Sequence, residues 1–480
     1  MNLKDLIELW EKKGNLKKID EPISRDLEIT EIYSRVFREQ GPALLFRNVK
    51  DTKIPLIINI FGTWERVWDI FGAKSEEELM GRIKPLIDMG QRQPIGVVEK
   101  ARTLWKLKEL SGITPRKVKK GACQANVIKD SEVNLDDLPI MRSWPYDAGR
   151  FITLPVVITR DPVSGRQNLG MYRMQIIDKR KTAMHWHPGK GGDVHLRRAR
   201  KIGKKLEAAC AIGCEPAVIY AATAPLPPDL NELLLAGVLM NSPVETVKCR
   251  TIDIDVPANS QIVLEGYIDE EESFPEGPFG DHTGFYTPQR DFPVFNIQAV
   301  TMCENPIYVS TAVGWPPLED AIIGKLTEKI FSPFIKFLIP DIKDIAIPVS
   351  GVFHNFVFVS IDKQYPGQAY RVMDSLWGLG QMSNSKVIAV FDGYVNVHDL
   401  EDVLFHIGSN IDPLRDVVIK KGPLDILDHA SLEEGFGGKM GIDATKKLRE
   451  ESYTRQWPER TVMDENTIKR INTLWSRLGL

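Results

Sequence analysis

Cysteine is scarce in this chain, with five residues in 480, at positions 123, 210, 214, 249 and 303. An odd, scattered set of thiols builds no disulfide framework and points to a reducing compartment. Cys210 and Cys214 have the spacing of one helix face, yet two thiolates do not close a zinc site, so they are expected to be buried small residues. Also missing is any apolar run long enough to cross a bilayer. The opening stretch MNLKDLIELWEKKGNL carries Lys4, Asp5 and Glu8 where a signal peptide needs an unbroken apolar core. A soluble, cytoplasmic protein is expected. Nor is there an excess of either charge: 62 basic and 65 acidic residues leave a net charge of −3. That balance directs no field at nucleic acid or an anionic membrane. There is no GxGxxG dinucleotide fingerprint, no internal repeat and no low-complexity linker.

What is present is a globular composition, 43% hydrophobic and 26% charged, in a chain long enough for two or three domains. Leu3, Leu6, Ile7 and Trp10 recur at helical spacing up to Gly14, and Leu27 to Phe37 outlines a second helix. Ala43–Phe46 and Pro55–Ile60 read as strands, so residues 1–115 are expected to form an N-terminal α/β domain. Residues 116–318 are turn-rich, with short runs at Ile152–Thr159, Tyr172–Ile177, Ala217–Ala221, Thr246–Val256 and Gln261–Ile268 and one helix near His195–Ala211. That pattern suggests a mostly antiparallel sheet or barrel. Residues 319–448 alternate again. Helices are expected at Glu319–Leu338, Gly367–Gly378 and His398–Ile407, and strands at Asp344–Val349, Phe356–Ser360 and Val387–Phe391. Such alternation implies βαβ units and a parallel sheet. The polar tail 449–480 ends in an amphipathic helix around Ile468–Leu478, suited to packing on another domain or subunit.

Histidine is rare as well, and four of the eight, His185, His187, His195 and His282, fall near the segments richest in chemistry. Gly189-Lys190-Gly191-Gly192 precedes a helical pattern, which offers close backbone approach, a point charge and unpaired N–H groups to a phosphate. Alone, it reads better as an ordinary glycine-rich turn, because such short motifs recur by chance. Asn168, His195 and Glu232 supply an amide oxygen, an imidazole and a carboxylate, a mixed set that suits Mn²⁺ or Mg²⁺, although each has a plainer reading by itself. Glu276 and Asp281 lie on a Pro- and Gly-stiffened loop with Arg173 available from the NLGMYR stretch. An arginine lowers one carboxyl while mutual repulsion raises the other, which would leave one ionised and one able to donate a proton.

The segments NLGMYRMQ, GKGG, PLPPDLNE, VETVKC, IVLEGYI, PEGPFGDHTGFY and SLEEGFGGKMGIDAT together resemble the UbiD family of reversible decarboxylases over essentially the whole chain. The similarity extends in particular to the 3-polyprenyl-4-hydroxybenzoate decarboxylases of ubiquinone biosynthesis. The resemblance implies prenylated FMN, supplied by a flavin prenyltransferase and held through its phosphate by Mn²⁺ with K⁺ nearby. Asn168, His195 and Glu232 match the metal ligands, and Ala222, Ala224 and Glu232 the potassium site. Met171, Tyr172, Arg173, His185, Trp186, His187, Lys190 and Gly191 match cofactor-lining positions, and Arg173, Glu276 and Asp281 the catalytic set with Asp281 as proton donor. Lys190 stands where relatives tend to carry arginine, and His185 and His187 are unusual there.

The implied fold is a central split β-barrel of the flavin-reductase kind between an N-terminal and a C-terminal α/β domain, the latter mediating a homo-oligomer, dimer or hexamer. The implied reaction is non-oxidative loss of CO₂ from an aromatic or α,β-unsaturated carboxylic acid. Thr311–Glu319 is expected to line the substrate pocket, with Trp315 limiting its size. Two rivals remain open at this point: a flavin-dependent oxidoreductase, and a non-catalytic carrier of prenylated FMN.

Overall fold

A computed structural model describes residues 1–91, 112–226, 230–451 and 453–479. Part of the PLPPDLNE motif therefore lies outside the described residues. The first helix, Leu3–Lys13, starts where the Asn2 side chain accepts from the Asp5 N–H at 3.0 Å and ends at Gly14, whose φ of 75° suits glycine. Its Leu3, Leu6, Ile7 and Trp10 are buried, as their spacing requires. A four-stranded sheet follows in the order Leu16–Ile19, Ala43–Phe46, Leu56–Ile58, Tyr308–Val309. Its last strand returns from far along the chain to run parallel to Leu56–Ile58, which ties this region to the centre of the molecule.

The central sheet runs Phe151–Ile152, Met174–Ile176, Lys181–Met184, Arg290–Met302, Ile262–Glu276, Leu206–Ile212, Val156–Arg160, Gln167–Gly170, with Asn126–Lys129 also paired to Arg290–Met302. Among the described residues its two ends do not pair, so the hydrogen bonding stays open and forms no closed barrel. Ile262–Glu276 and Arg290–Met302 are its long antiparallel spine, broken by irregularities at Glu265/Gly266 and Asp269/Ser273. At the first, a Cβ on Gly266 would lie 1.9 Å from the Asn296 carbonyl oxygen, so only glycine allows the two backbones to approach.

Several expected elements differ. The helix placed at His195–Ala211 is Gly191–Lys201, stopped by Gly203 at φ 64°, and Leu206–Ile212 is a strand buried at every position except Glu207. Cys210 therefore sits on a strand with Cys214 beyond it, and the shared helix face does not exist, although all five thiols are free and buried. Ala217–Ala221 belongs to the helix Pro216–Ala221, whose proline pre-sets the first turn. Thr246–Val256 divides into Glu245–Lys248 and Asp255–Pro257.

The C-terminal sheet has the order Ile342–Ala346, Phe356–Ile361, Val387–Asp392, Phe436–Asp443, Val417–Pro423. It is parallel only among its middle three strands, and both edges pair antiparallel. Helix Glu319–Leu338 forms over the expected residues. Its first residue is fully buried: the Glu319 carboxylate accepts the Phe61 N–H at 2.8 Å, and the Glu319 N–H donates to the Tyr33 hydroxyl at 3.0 Å. Gly266→Ala should cost about 1–3 kcal/mol by forcing the spine strands apart, seen as a lower thermal midpoint than wild type; an unchanged midpoint would show that the strands can yield.

Candidate active site

Arg173 stands between the strands Gln167–Gly170 and Met174–Ile176, and its carbonyl accepts the His185 N–H at 3.1 Å. That bond extends the pairing of Met174 with Met184 and sets Arg173 beside His185. Glu276 is the last residue of the long spine strand. The turn after it is pinned twice, by the Gly277 N–H donating to Gln175 Oε1 at 2.8 Å and the Gly280 N–H donating to Asp147 Oδ1 at 2.7 Å. Asp281 is thereby brought back toward Arg173. The guanidinium donates to Glu276 Oε1 at 2.8 Å, to the Thr287 hydroxyl at 2.9 Å and to Asp281 Oδ2, and it lies over the Phe279 ring at 4.3 Å. Glu276 is fully buried and Asp281 nearly so.

The splitting expected between the two acids is absent. Burial alone would raise the Glu276 carboxyl, but the His185 hydrogen bond and the Arg173 charge outweigh it and hold it below its usual range. Burial opposes ionisation of Asp281 too, yet hydrogen bonding to His282, its charge and that of Arg173 hold this carboxyl far lower still. Each acid has a cation or donor of its own, so repulsion between them does not decide the outcome. His282 takes the opposite shift: burial works against it, but the Asp281 hydrogen bond and charge raise it to about 9.

His185 and His187 continue the clamp outward. His185 Nδ1 lies 3.0 Å from Glu276 Oε2, and its Nε2 lies 3.1 Å from His187 Nε2. With Nδ1–H donated to the carboxylate, His185 Nε2 must accept, so His187 carries its proton on Nε2. Burial lowers both imidazoles, His187 to about 4.

The other half of the site is a cradle. Asn168 pairs with Thr159 across adjacent strands, and the Thr159 hydroxyl lies 2.8 Å from His195 Nδ1, leaving the far ring nitrogen free. The Leu169 N–H donates to Glu232 Oε2 at 3.3 Å. The three residues expected to hold a metal therefore lie about two adjacent strands, and among the described residues no group of three His, Cys, Asp or Glu is placed to hold a metal. The donor set fits a divalent ion: burial raises the Glu232 carboxyl to about 7, and among the described residues no cationic side chain offsets it. Helix Gly191–Lys201 begins at the cradle wall. A Cβ on Gly191 would lie 2.0 Å from Asn168 Oδ1, and one on Gly192 would lie 2.5 Å from the Trp186 ring. The Trp186 Nε1 and Asn168 Nδ2 atoms are buried without a protein partner, and Lys190 caps the helix from an exposed position. Tyr172 meets Trp186 edge-on at 6.0 Å. The Met171 N–H donates to the Ala222 carbonyl at 3.2 Å, and the Ala224 carbonyl accepts the Leu226 N–H at 2.8 Å, so the two carbonyls among the three expected potassium ligands already carry one backbone bond each.

Sequence reasoning missed Thr159, Thr287, Phe279 and the C-terminal side of the site. Phe279 and Thr287 flank the GDHTG motif, and Glu434 falls within SLEEGFGGKMGIDAT, so all three were within sight; Asp425 and His429 had no signal. His429 meets Phe285 at 4.2 Å, Glu434 pairs with Arg290, and the Asp425 charge acts on His187, Lys190 and His282. Trp315 is 57% exposed.

Family models described as the N-terminal, Rift-related and C-terminal domains of 3-octaprenyl-4-hydroxybenzoate carboxy-lyase match residues 7–83, 116–316 and 321–444. The chain belongs to the UbiD family. It is a carboxy-lyase, a UbiD-class decarboxylase. An uncharacterized protein of Aquifex aeolicus is 48% identical over 100% of this chain and 99% of its own length. An evolved dimeric form of the UbiD-class enzyme HmfF from Pelotomaculum thermopropionicum, solved with prenylated FMN, is 27% identical with TM-score 0.76, covering 98% of each chain. The vanillic acid decarboxylase of Sedimentibacter hydroxybenzoicus in closed form is 25% identical with TM-score 0.86, covering 99% of this chain and 98% of that one. No helix among the described residues is long and apolar enough to cross a membrane.

The lowered histidines set a direction for stability. The unfolded chain protonates them near 6.5, whereas folded His187 resists until about 4, so stability is lost as pH falls through that window. His282 works in reverse, its contribution present below 6.5 and lost as pH rises through about 9. His187→Gln should flatten the acid side of a thermal-midpoint profile and leave the alkaline side unchanged; an unaltered acid side would assign that lability elsewhere.

Proposed function

We propose that this UbiD-class decarboxylase uses prenylated FMN to remove CO₂ reversibly from an aromatic or α,β-unsaturated carboxylic acid, 3-polyprenyl-4-hydroxybenzoate or another quinone or isoprenoid precursor being candidates. The observation that carries the reading is the single stretch Asn168–Arg173, which starts in the glycine cradle and ends in a buried guanidinium clamped between Glu276 and Asp281. Asn168, His195 and Glu232 would hold Mn²⁺ against the cofactor phosphate, beside Lys190 and the Gly191 N–H. Ala222, Ala224 and Glu232 would hold K⁺ through their remaining lone pairs. Met171, Tyr172, Arg173, His185, Trp186 and His187 would line the flavin. The open central sheet, with two register shifts in its spine, would serve as the split barrel of flavin-reductase type.

Bound there, the prenylated flavin supplies the electron sink. The protein's own work is placement and proton control. Arg173 steers the substrate carboxylate, and Glu276, saturated by Arg173 and His185, keeps the guanidinium from turning away. Phe279 under the guanidinium excludes water on one side. Asp281 delivers the proton that replaces CO₂. The enzyme works in the cytoplasm on cofactor from a flavin prenyltransferase. It forms a homo-oligomer, dimer or hexamer, a reading supported by exposed Leu400, Leu404 and Phe405 on one helix and Ile468, Ile471 and Trp475 on the tail.

Two experiments decide this. The protein co-expressed with a flavin prenyltransferase should carry the modified flavin and exchange hydrogen for deuterium at the former carboxyl carbon of an acid in a carboxylate panel. Absence of both flavin and exchange would sink the reading. In that background Asp281→Asn should keep the flavin spectrum and lose about 10²-fold or more in turnover. Gly191→Ala, whose Cβ would displace Asn168, should lose bound manganese and flavin together; full manganese occupancy in that variant would remove Asn168 from the metal site.

A further inference from the structure

Asp281 gives its two oxygens to different partners. Oδ2 meets Arg173 Nη1, while Oδ1 accepts both the His282 backbone N–H at 2.7 Å and lies 2.9 Å from His282 Nδ1. The guanidinium has no proton to give at any physiological pH. The imidazole has one. Its ring is mostly covered, 24% exposed, and meets Phe353 at 5.5 Å. Three acids act on it: Asp281 by direct contact, and by their charge Asp320, in the first turn of helix Glu319–Leu338, and Asp425, from the C-terminal domain. Asp320 Oδ1 accepts the Leu318 N–H at 3.1 Å, and its Oδ2 is buried with no partner.

We propose that His282 supplies, through Asp281, the proton that takes the place of CO₂, with Asp320 as the counter-charge that keeps the imidazolium in place. The proposal rests on the decarboxylase reading. When the bond to CO₂ breaks, its electron pair stays with the substrate. A C–H bond then forms as the Asp281 O–H bond breaks. Asp281 takes that proton from His282 Nδ1, and water reached through the open part of the ring restores the imidazolium. This resolves a conflict in the site, where Asp281 is held ionised and so cannot store the proton itself. His282, raised to about 9, stores it at neutral pH. His282 acts through Asp281 and is a positioning and proton-supply residue.

One test needs no turnover. Exchange of histidine C2 hydrogens in deuterated water, read residue by residue by mass spectrometry from about pH 5 to 10, reports each imidazole's own titration. His282 should show a midpoint near 9 in the wild type and move toward 6.5 in Asp281→Asn. A wild-type midpoint near 6.5 overturns the proposal. The second arm uses the flavin-loaded enzyme. His282→Asn keeps a donor nitrogen facing Asp281 but carries no transferable proton; it should retain the flavin spectrum and lose at least about tenfold in hydrogen exchange at the substrate carbon. Wild-type exchange and an unchanged pH profile in that variant also overturn the proposal. Failure of the loaded wild type on every acid would count against the decarboxylase reading, while the C2 titration would still decide whether His282 holds the proton.

Discussion

The site depends on one buried guanidinium with a carboxylate on either side. Taking Arg173, Glu276 and Asp281 out of water costs about several kcal/mol for each ion, and only close pairing offsets it. That condition explains much of the surrounding structure. Thr287 takes an Arg173 donor, and His185 takes the second Glu276 oxygen. Gln175 and Asp147 pin the turn that returns Asp281 to Arg173, so the clamp cannot relax without leaving a charge unpaired. His282 adds a second cation, so two buried negative charges meet two positive ones.

The proposed cofactor anchorage and the proposed proton chemistry are joined by very little chain. On the sheet's edge strand Asn168 pairs with Thr159 of the next strand and faces the glycines that open helix Gly191–Lys201, while Arg173, five residues on, enters the clamp. Between them, Met171 is tied to Ala222 and Tyr172 packs on Trp186. A shift at either end is therefore felt at the other. From above, Asp425, His429 and Glu434 bring the C-terminal domain onto the same loops. His282 thus takes charge from the central domain, from the helix that begins at Asp320 and from the C-terminal loop together.

Local rules reached only part of this. Helices with strong apolar spacing, such as Leu3–Lys13 and Glu319–Leu338, were legible because one face decides them. Leu206–Ile212 was mistaken for helix since a strand buried on both faces shows no alternation. Val417–Pro423 and Phe436–Asp443 lay outside the expected elements because the Val417–Ile419 run is cut short by lysine and glycine and the glycines of Phe436–Asp443 carry no β signal; pairing with each other and, for Phe436–Asp443, with Val387–Asp392 makes them strands. The acid–acid splitting inferred for Glu276 and Asp281 failed for a related reason: proximity of two carboxyls in sequence does not reveal which cation each one meets.

By itself the sequence determined the three-region organisation, the family and the short menu of chemistry-bearing residues, because motifs such as PEGPFGDHTG and NLGMYR are contiguous. Tertiary structure alone decided that Asn168, His195 and Glu232 converge, that His185 and His187 extend the clamp, and that His282 sits among Asp281, Asp320 and Asp425. The physical reason is that protonation depends on burial and on neighbours within a few ångströms, and some of those neighbours, such as Arg173 with Glu276 and Asp281, come from segments more than 100 residues apart.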